Sequence, residues 1–152
     1  MEQGVATFQA AGGSSSVLTG NIAYVDAVNG NDGTAVLGDF SKPYLTVGAA
    51  ITSATSGYTI VVRPGNYSNA TQLLKDGVNW YFMAGAKVSQ TNATGQAMFG
   101  DTGGNDAVCS ITGYGVFIDT LGGEACIIKI GDAASNVYFE AQSISVGNGN
   151  TN

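Results

Sequence analysis

The side chains that could do chemistry in this chain are mostly carboxylates: Asp26, Asp32, Asp39, Asp76, Asp101, Asp106, Asp119, Glu124, Asp132 and Glu140. There is no histidine, so glycosidic or acid–base chemistry would fall on two carboxylates held roughly 5–9.5 Å apart. Most of these acids sit beside glycine or asparagine, in "NGNDG", "LLKDG", "FGDTGGND" and "IGDA". An aspartate in such a turn accepts hydrogen bonds from its own backbone, and that is the simpler reading of each. Asp101, Asp106 and Asp119 are the best candidates for an acidic groove, because stacked layers could bring them together, although nothing in the sequence sets that register. Arg63, the lone arginine, precedes Pro64 and is as readily structural.

Other chemistries find less support. "NDGT" at 31–34 and "GDTGGND" at 100–106 contain oxygen donors for calcium but lack the twelve-residue spacing of the specific loop. The glycine clusters are followed by neither lysine nor a helix, so they are not phosphate loops. A serine nucleophile has no base and no elbow motif, and two cysteines with carboxylates make a poor zinc site. The expectation is therefore no catalytic residue, no metal and no cofactor. Cys109 and Cys126 read as buried thiols, with a disulfide as the alternative. Trp80, Tyr81 and Tyr114 are candidates for stacking on a carbohydrate, and Tyr58 and Tyr67 are weaker ones. All of them could equally serve the core or a subunit contact.

Composition narrows the class. Only 11% of the 152 residues are charged, against roughly 25% in an ordinary domain, yet 44% are apolar, so the chain is no disordered polyanion. The polar surface must come from Asn, Thr, Ser and Gly. The net charge is −6, and the five bases, Lys42, Arg63, Lys75, Lys87 and Lys129, are scattered. That argues against nucleic acid and anionic membranes. No apolar run approaches the ~20 residues that span a bilayer. The first 20 residues show neither a basic start nor a continuous apolar stretch, so they do not read as a secretory signal and imply synthesis in a cytoplasm.

The elements that must position these residues follow from periodicity. Residues 1–20 read as an arm or linker, and 21–152 as the folded domain. "SKPYLTVGAAITSATSG" at 41–57 contains the one credible helix: Val47, Ala50, Ile51 and Ala54 form a narrow apolar face, with Thr46 as its cap and Gly57 as its terminator. Beyond it the chain alternates short apolar bursts with turns. Bursts begin at 59, 78, 97 and 116, 19 residues apart, which predicts an all-β solenoid of stacked coils; a sandwich would give similar strands. In "VNWYFM", Val78, Trp80 and Phe82 point one way and Asn79, Tyr81 and Met83 the other, with the inner face undecided. In "RPGNY", Pro64 fixes φ and Gly65 suits a tight turn.

Residues 24–67, "YVDAVNGNDG" followed by "KPYLTVGAAITSATSGYTIVVRPGNY", resemble the opening of the pectate-lyase-like right-handed β-helix superfamily. The resemblance implies a right-handed parallel β-helix. It makes Val47–Ala54 a helical cap on the N-terminal end, and puts Thr59–Val62 and the Pro64–Gly65 turn in the first coil. The superfamily includes polysaccharide lyases and hydrolases, phage tailspikes that bind or cut surface polysaccharide, and structural virion appendages. None of its catalytic residues falls on a matching position here. The expected function is a structural virion protein, a fibre, tailspike or decoration β-helix, trimeric and attached to other virion proteins through residues 1–20. The alternatives are a polysaccharide-degrading enzyme of the same fold and a carbohydrate-binding module that takes host surface polysaccharide.

Overall fold

A computed structural model describes residues 7–9, 15–17, 21–68, 72–90, 97–100, 107–121, 126–129 and 135–148. Among the described residues there are one helix, α1 (Val47–Ser53), and fourteen strands. They are β1 (Thr7–Gln9), β2 (Ser15–Val17), β3 (Asn21–Val25), β4 (Tyr58–Val62), β5 (Gly65–Ser68), β6 (Gln72–Leu73), β7 (Asn79–Phe82) and β8 (Ala86–Gln90), then β9 (Ala97–Gly100), β10 (Val108–Gly113), β11 (Val116–Leu121), β12 (Cys126–Lys129), β13 (Asn136–Phe139) and β14 (Ser143–Asn148). β1 and β2 pair antiparallel with each other; every other strand pair is parallel.

The parallel strands build three sheets in the orders β13-β10-β7-β4-β3, β14-β11-β8-β5 and β12-β9-β6. The chain visits the three in turn and returns to the first one layer further on, so each circuit is a coil. Three parallel sheets wound in this sequential pattern are the right-handed β-helix architecture of pectate-lyase-like proteins. A sandwich, with its antiparallel sheets, is ruled out.

Coil length is where the sequence misled. Ile60 pairs with Trp80, Trp80 with Ile111 and Ile111 with Phe139, so successive coils take 20, 31 and 28 residues. The bursts at 97 and 116 lie in β9 and β11, on two different faces, so the 19-residue spacing is not the coil repeat. Two short strands, β5 and β6, fall in turn-like stretches, and β13 and β14, only three residues apart, lie on different sheets. In a solenoid the sides are short and the corners vary in length, so strand spacing and coil length need not agree.

Alternation sends one face of β4 and β7 inward, while in β9 the adjacent Met98 and Phe99 both join the core. Ile60 and Val62, Trp80 and Phe82, Met98 and Phe99, Ile111 and Phe117 are all buried in one core. Its centre is a run of touching rings: Trp80–Phe99 at 5.5 Å, Phe82–Phe99 at 6.2 Å, Phe82–Phe117 at 4.9 Å and Phe117–Phe139 at 5.4 Å between centroids. All four meet edge-on or tilted, as ring quadrupoles favour, and a fifth pair, Trp80–Phe82, stacks. Gly113 stands opposite Phe82 at φ 107°, and a Cβ there would collide with the Phe82 carbonyl oxygen.

The helix closes the N-terminal end. The Thr46 hydroxyl accepts the Ala49 N–H, as the sequence predicts, and Val47, Ala50 and Ile51 pack down toward β3, β4 and β6. Termination is a correction: Ala54 is the C-cap, in extended conformation, and Gly57, at φ 89°, instead begins the turn into β4, donating to the Gly77 carbonyl. The end carbonyls of the helix are satisfied by the Lys75 ammonium, which donates to Thr52 and Ala54 oxygens at 3.0 and 3.1 Å. Pro64 stands at the corner between two sheets, and Gly65 opens β5 with its N–H on the Gly85 carbonyl.

Two substitutions test this core. Phe82→Ala should cost about 3–5 kcal/mol in chemical denaturation, since the ring touches three others. Gly113→Ala should cost about 1–3 kcal/mol through strain at positive φ; a neutral result in either would show that the rungs do not stack in this register.

Candidate functional site

The loop between β3 and α1 holds three of the sequence's candidate carboxylates, and all three are tied to backbone. Asp26 Oδ1 accepts the N–H groups of Val28 and Asn29 at 2.9 and 3.0 Å, and Oδ2 accepts the Asn29 amide at 3.2 Å. Asp32 accepts the Leu45 and Thr46 N–H groups and the Thr46 hydroxyl, which fixes the start of α1. Asp39 accepts the N–H and the hydroxyl of Ser41, and those two bonds depress its pKa. Outside the loop, Asp76 accepts the Val108 N–H at 3.2 Å.

Arg63 is the joint between loop and coil. Its guanidinium donates to Asp26 Oδ2 at 3.1 Å and to the Phe40 carbonyl at 2.7 Å, and lies 3.7 Å from the Phe40 ring centroid. Tyr67 completes the joint from below. Its hydroxyl accepts the Ala27 N–H at 3.2 Å and lies 2.9 Å from the Arg63 carbonyl, to which it donates. Burial drives the Tyr67 pKa up to about 12, so the phenol stays protonated. Burial also pushes the Asp26 carboxyl upward, but the hydrogen bonds from Asn29, Val28 and Arg63 outweigh it and bring the pKa down to about 2. Beside this joint a shallow cavity of about 170 Å³ is lined by Ala27, Leu45, Thr46, Asn66, Tyr67 and Ser68, none of them charged.

The outer face of the five-stranded sheet carries the most exposed aromatic on the coils. Tyr138 on β13 is 61% exposed and lies in register beside Ser110 on β10. Its hydroxyl approaches Glu140 Oε2 at 3.5 Å, and Ser110 donates through both N–H and hydroxyl to Asn79 Oδ1 at 2.9 Å. Thr112, two residues on, donates its hydroxyl to the Trp80 carbonyl. A ring bordered by hydroxyls and a carboxylate can hold a polyhydroxylated ligand by stacking and hydrogen bonding. Neither Tyr138 nor Glu140 stood out as a pair in the sequence; the signal was the alternation in "NVYFE", with Val137 and Phe139 inward and their neighbours outward.

The stacking candidates separate. Trp80 has no exposed surface and lies in the core, its Nε1 hydrogen without an acceptor, so it cannot meet an external ligand. Tyr81 faces outward, yet is buried with Ile22, Tyr24 and Val61 in a second apolar cluster. Tyr58 is half-buried and Tyr67 is bound in the joint. Only Tyr114, 39% exposed, remains at the surface. Among the acidic-groove candidates, Asp101 and Asp106 lie outside the described residues, and Asp119 is placed only by its backbone, paired with Gln90 and Val146. Cys109 is buried, in register with Val137. Among the described residues no group of three or more Cys, Asp or Glu is placed to hold a metal ion.

Compared with known proteins, the chain matches no family model, no curated protein and no solved structure.

The Asp26–Arg63 joint predicts an acid limb. Because the folded-state pKa of Asp26 lies below the ordinary 3.8, its contribution is complete above that value and is lost as pH falls toward about 2. Asp26→Asn should lower stability at neutral pH by about 1–3 kcal/mol, by leaving donors poorly matched. It should also flatten the fall in Tm between about pH 4 and pH 2 relative to the parent. An unchanged acid limb would show that Asp26 is not what titrates there.

Proposed function

We propose that this chain is a structural β-helix module of a virion appendage, a rigid projecting element and not a catalyst. The observation that carries the reading is the use of the described aspartates: Asp26, Asp32, Asp39 and Asp76 each accept backbone N–H groups that hold a loop, a helix start or a coil corner. Carboxylates so committed stiffen the fold. A catalytic acid needs a raised pKa in an open cleft, whereas the resolved shifts among these aspartates are downward. The sparsely charged composition and the continuous ring core support the same reading. In this proposal residues 1–20 attach the module to other virion proteins and three copies assemble together.

The test uses the purified full chain and particles assembled with it. Deleting residues 1–20 should abolish incorporation while leaving circular dichroism and Tm unchanged, and the chain should release no oligosaccharide from host surface polysaccharide, with or without calcium. Cleavage that survives repurification and vanishes with substitution of Asp101, Asp106 or Asp119 would replace this reading with the enzymatic one.

A second reading, carbohydrate binding, is favoured by one observation: the exposed Tyr138 ring flanked by Glu140 and Ser110. Tyr138→Ala should then abolish retardation of the chain in polysaccharide-containing gels at unchanged Tm, a loss of about 1–3 kcal/mol of binding free energy per stacking ring by analogy with base–aromatic stacking.

A further inference from the structure

The outer face of the five-stranded sheet is biased toward hydrogen-bond acceptors around the exposed Tyr138 ring. The Ser110 hydroxyl donates to Asn79 Oδ1 at 2.9 Å, and the Thr112 hydroxyl donates to the Trp80 carbonyl at 3.1 Å. With their hydrogens committed, both oxygens meet an incoming ligand as acceptors. The Tyr138 hydroxyl donates to Glu140 Oε2 at 3.5 Å, and the exposed Glu140 carboxylate can only accept.

Positive charge is missing from the same sheet. The chain has five bases, and none lies on β3, β4, β7, β10 or β13. Arg63 is held by Asp26 and the Phe40 carbonyl, and Lys75 by the carbonyls at the end of α1. Lys42 belongs to the loop before α1, and Lys87 and Lys129 to β8 and β12, strands of the other two sheets. Arg63 follows β4, three strand spacings from β13, which is roughly 14 Å and beyond the ~8 Å screening length at physiological salt. The segments that lead into β10 and β13 add Asp101, Asp106 and Asp132 and no base.

We infer that the Tyr138 face selects glycans without acidic groups, and that Glu140 is the residue that sets this preference. The selectivity rests on the carbohydrate reading of the same face and deepens it. A neutral sugar brings hydroxyl donors to the row of acceptors, and one of them can make a charge-assisted bond to Glu140. A uronate, sulfate or phosphate group brings acceptors to acceptors and negative charge to Glu140, with no base on the sheet to compensate. The net charge of −6 opposes an acidic polymer at longer range as well.

Frontal affinity chromatography of the full chain on immobilised dextran, mannan and galactan, each beside its sulfated form, tests the selectivity. Retention should be stronger on the neutral member of a retaining pair by roughly fivefold or more, the weight of one exposed like-charge contact. Tyr138→Ala should remove that retention. Glu140→Gln keeps the size of the side chain and should bring the two members of the pair closer together at unchanged Tm, whereas a merely structural role would weaken both alike. Equal or stronger retention on the sulfated member, lost with Tyr138→Ala, would overturn the selectivity while the carbohydrate reading stands. A preference that Glu140→Gln leaves unchanged would overturn the role of Glu140. No retention on any matrix would remove the carbohydrate reading and the selectivity with it.

Discussion

In-register stacking of inward side chains is the interaction on which the remainder of this molecule rests. A parallel ladder places residue upon residue at one strand spacing, so Ala23, Ile60, Trp80, Ile111 and Phe139 form one column, and Val25, Val62 and Phe82 lie in the next. No coil can bury its own inner face, because its three strands surround an interior open above and below. Burial is therefore a property of neighbouring pairs of coils. Trp80 and Ile111, in the middle of the column, have no exposed surface, while Phe139 at its end is only half-buried. The same dependence explains Gly113: where the column narrows against the Phe82 backbone, there is no room for a Cβ.

The few charges act as struts at the places where the regular ladder cannot supply hydrogen bonds. The connection from β3 to α1 spans residues 26–46 without regular structure, and its polar backbone must be satisfied locally. Asp26 closes the first turn, Asp32 anchors the helix start, Asp39 closes the last turn, and Arg63 with Tyr67 fastens the whole connection to the first coil. Lys75 does the same for the carbonyls at the end of α1. Removing one group from such a joint leaves its partners desolvated and unpaired, so the cost is concentrated in a few residues.

What the molecule offers a partner follows from these constraints. Its outer face is uncharged apart from isolated groups, with Tyr138 and Tyr114 as exposed rings. Its N-terminal end is closed by a helix.

Local chemistry made part of this legible from residues alone. The helix 47–53 could be read because its apolar spacing, its Thr46 cap and its single narrow face are all properties of one short segment. The turn roles of Asp26 and Asp39 could be read because an aspartate bonds backbone within its own turn, but the reach of Asp32 to Leu45 and Thr46, and of Asp26 to Arg63, could not. The all-β solenoid followed from short strands and turns. Coil length did not, since β5 and β6 carry only four and two residues among turn-like sequence and gain their strand character from β8 and β9. The inner face of "VNWYFM" was likewise undecidable, because Trp80 and Tyr81 are both large and apolar and alternation alone does not say which side is core. Register decided it: stacking Trp80 between Ile60 and Ile111 buries the larger ring, and the exposed role passes to Tyr138, two coils' worth of chain away from where the aromatic signal was strongest. Sequence by itself determined what each short segment prefers; only the tertiary structure decided which segments are neighbours, because in a solenoid the stabilising contacts lie between residues 20 to 31 positions apart, beyond the reach of any local preference.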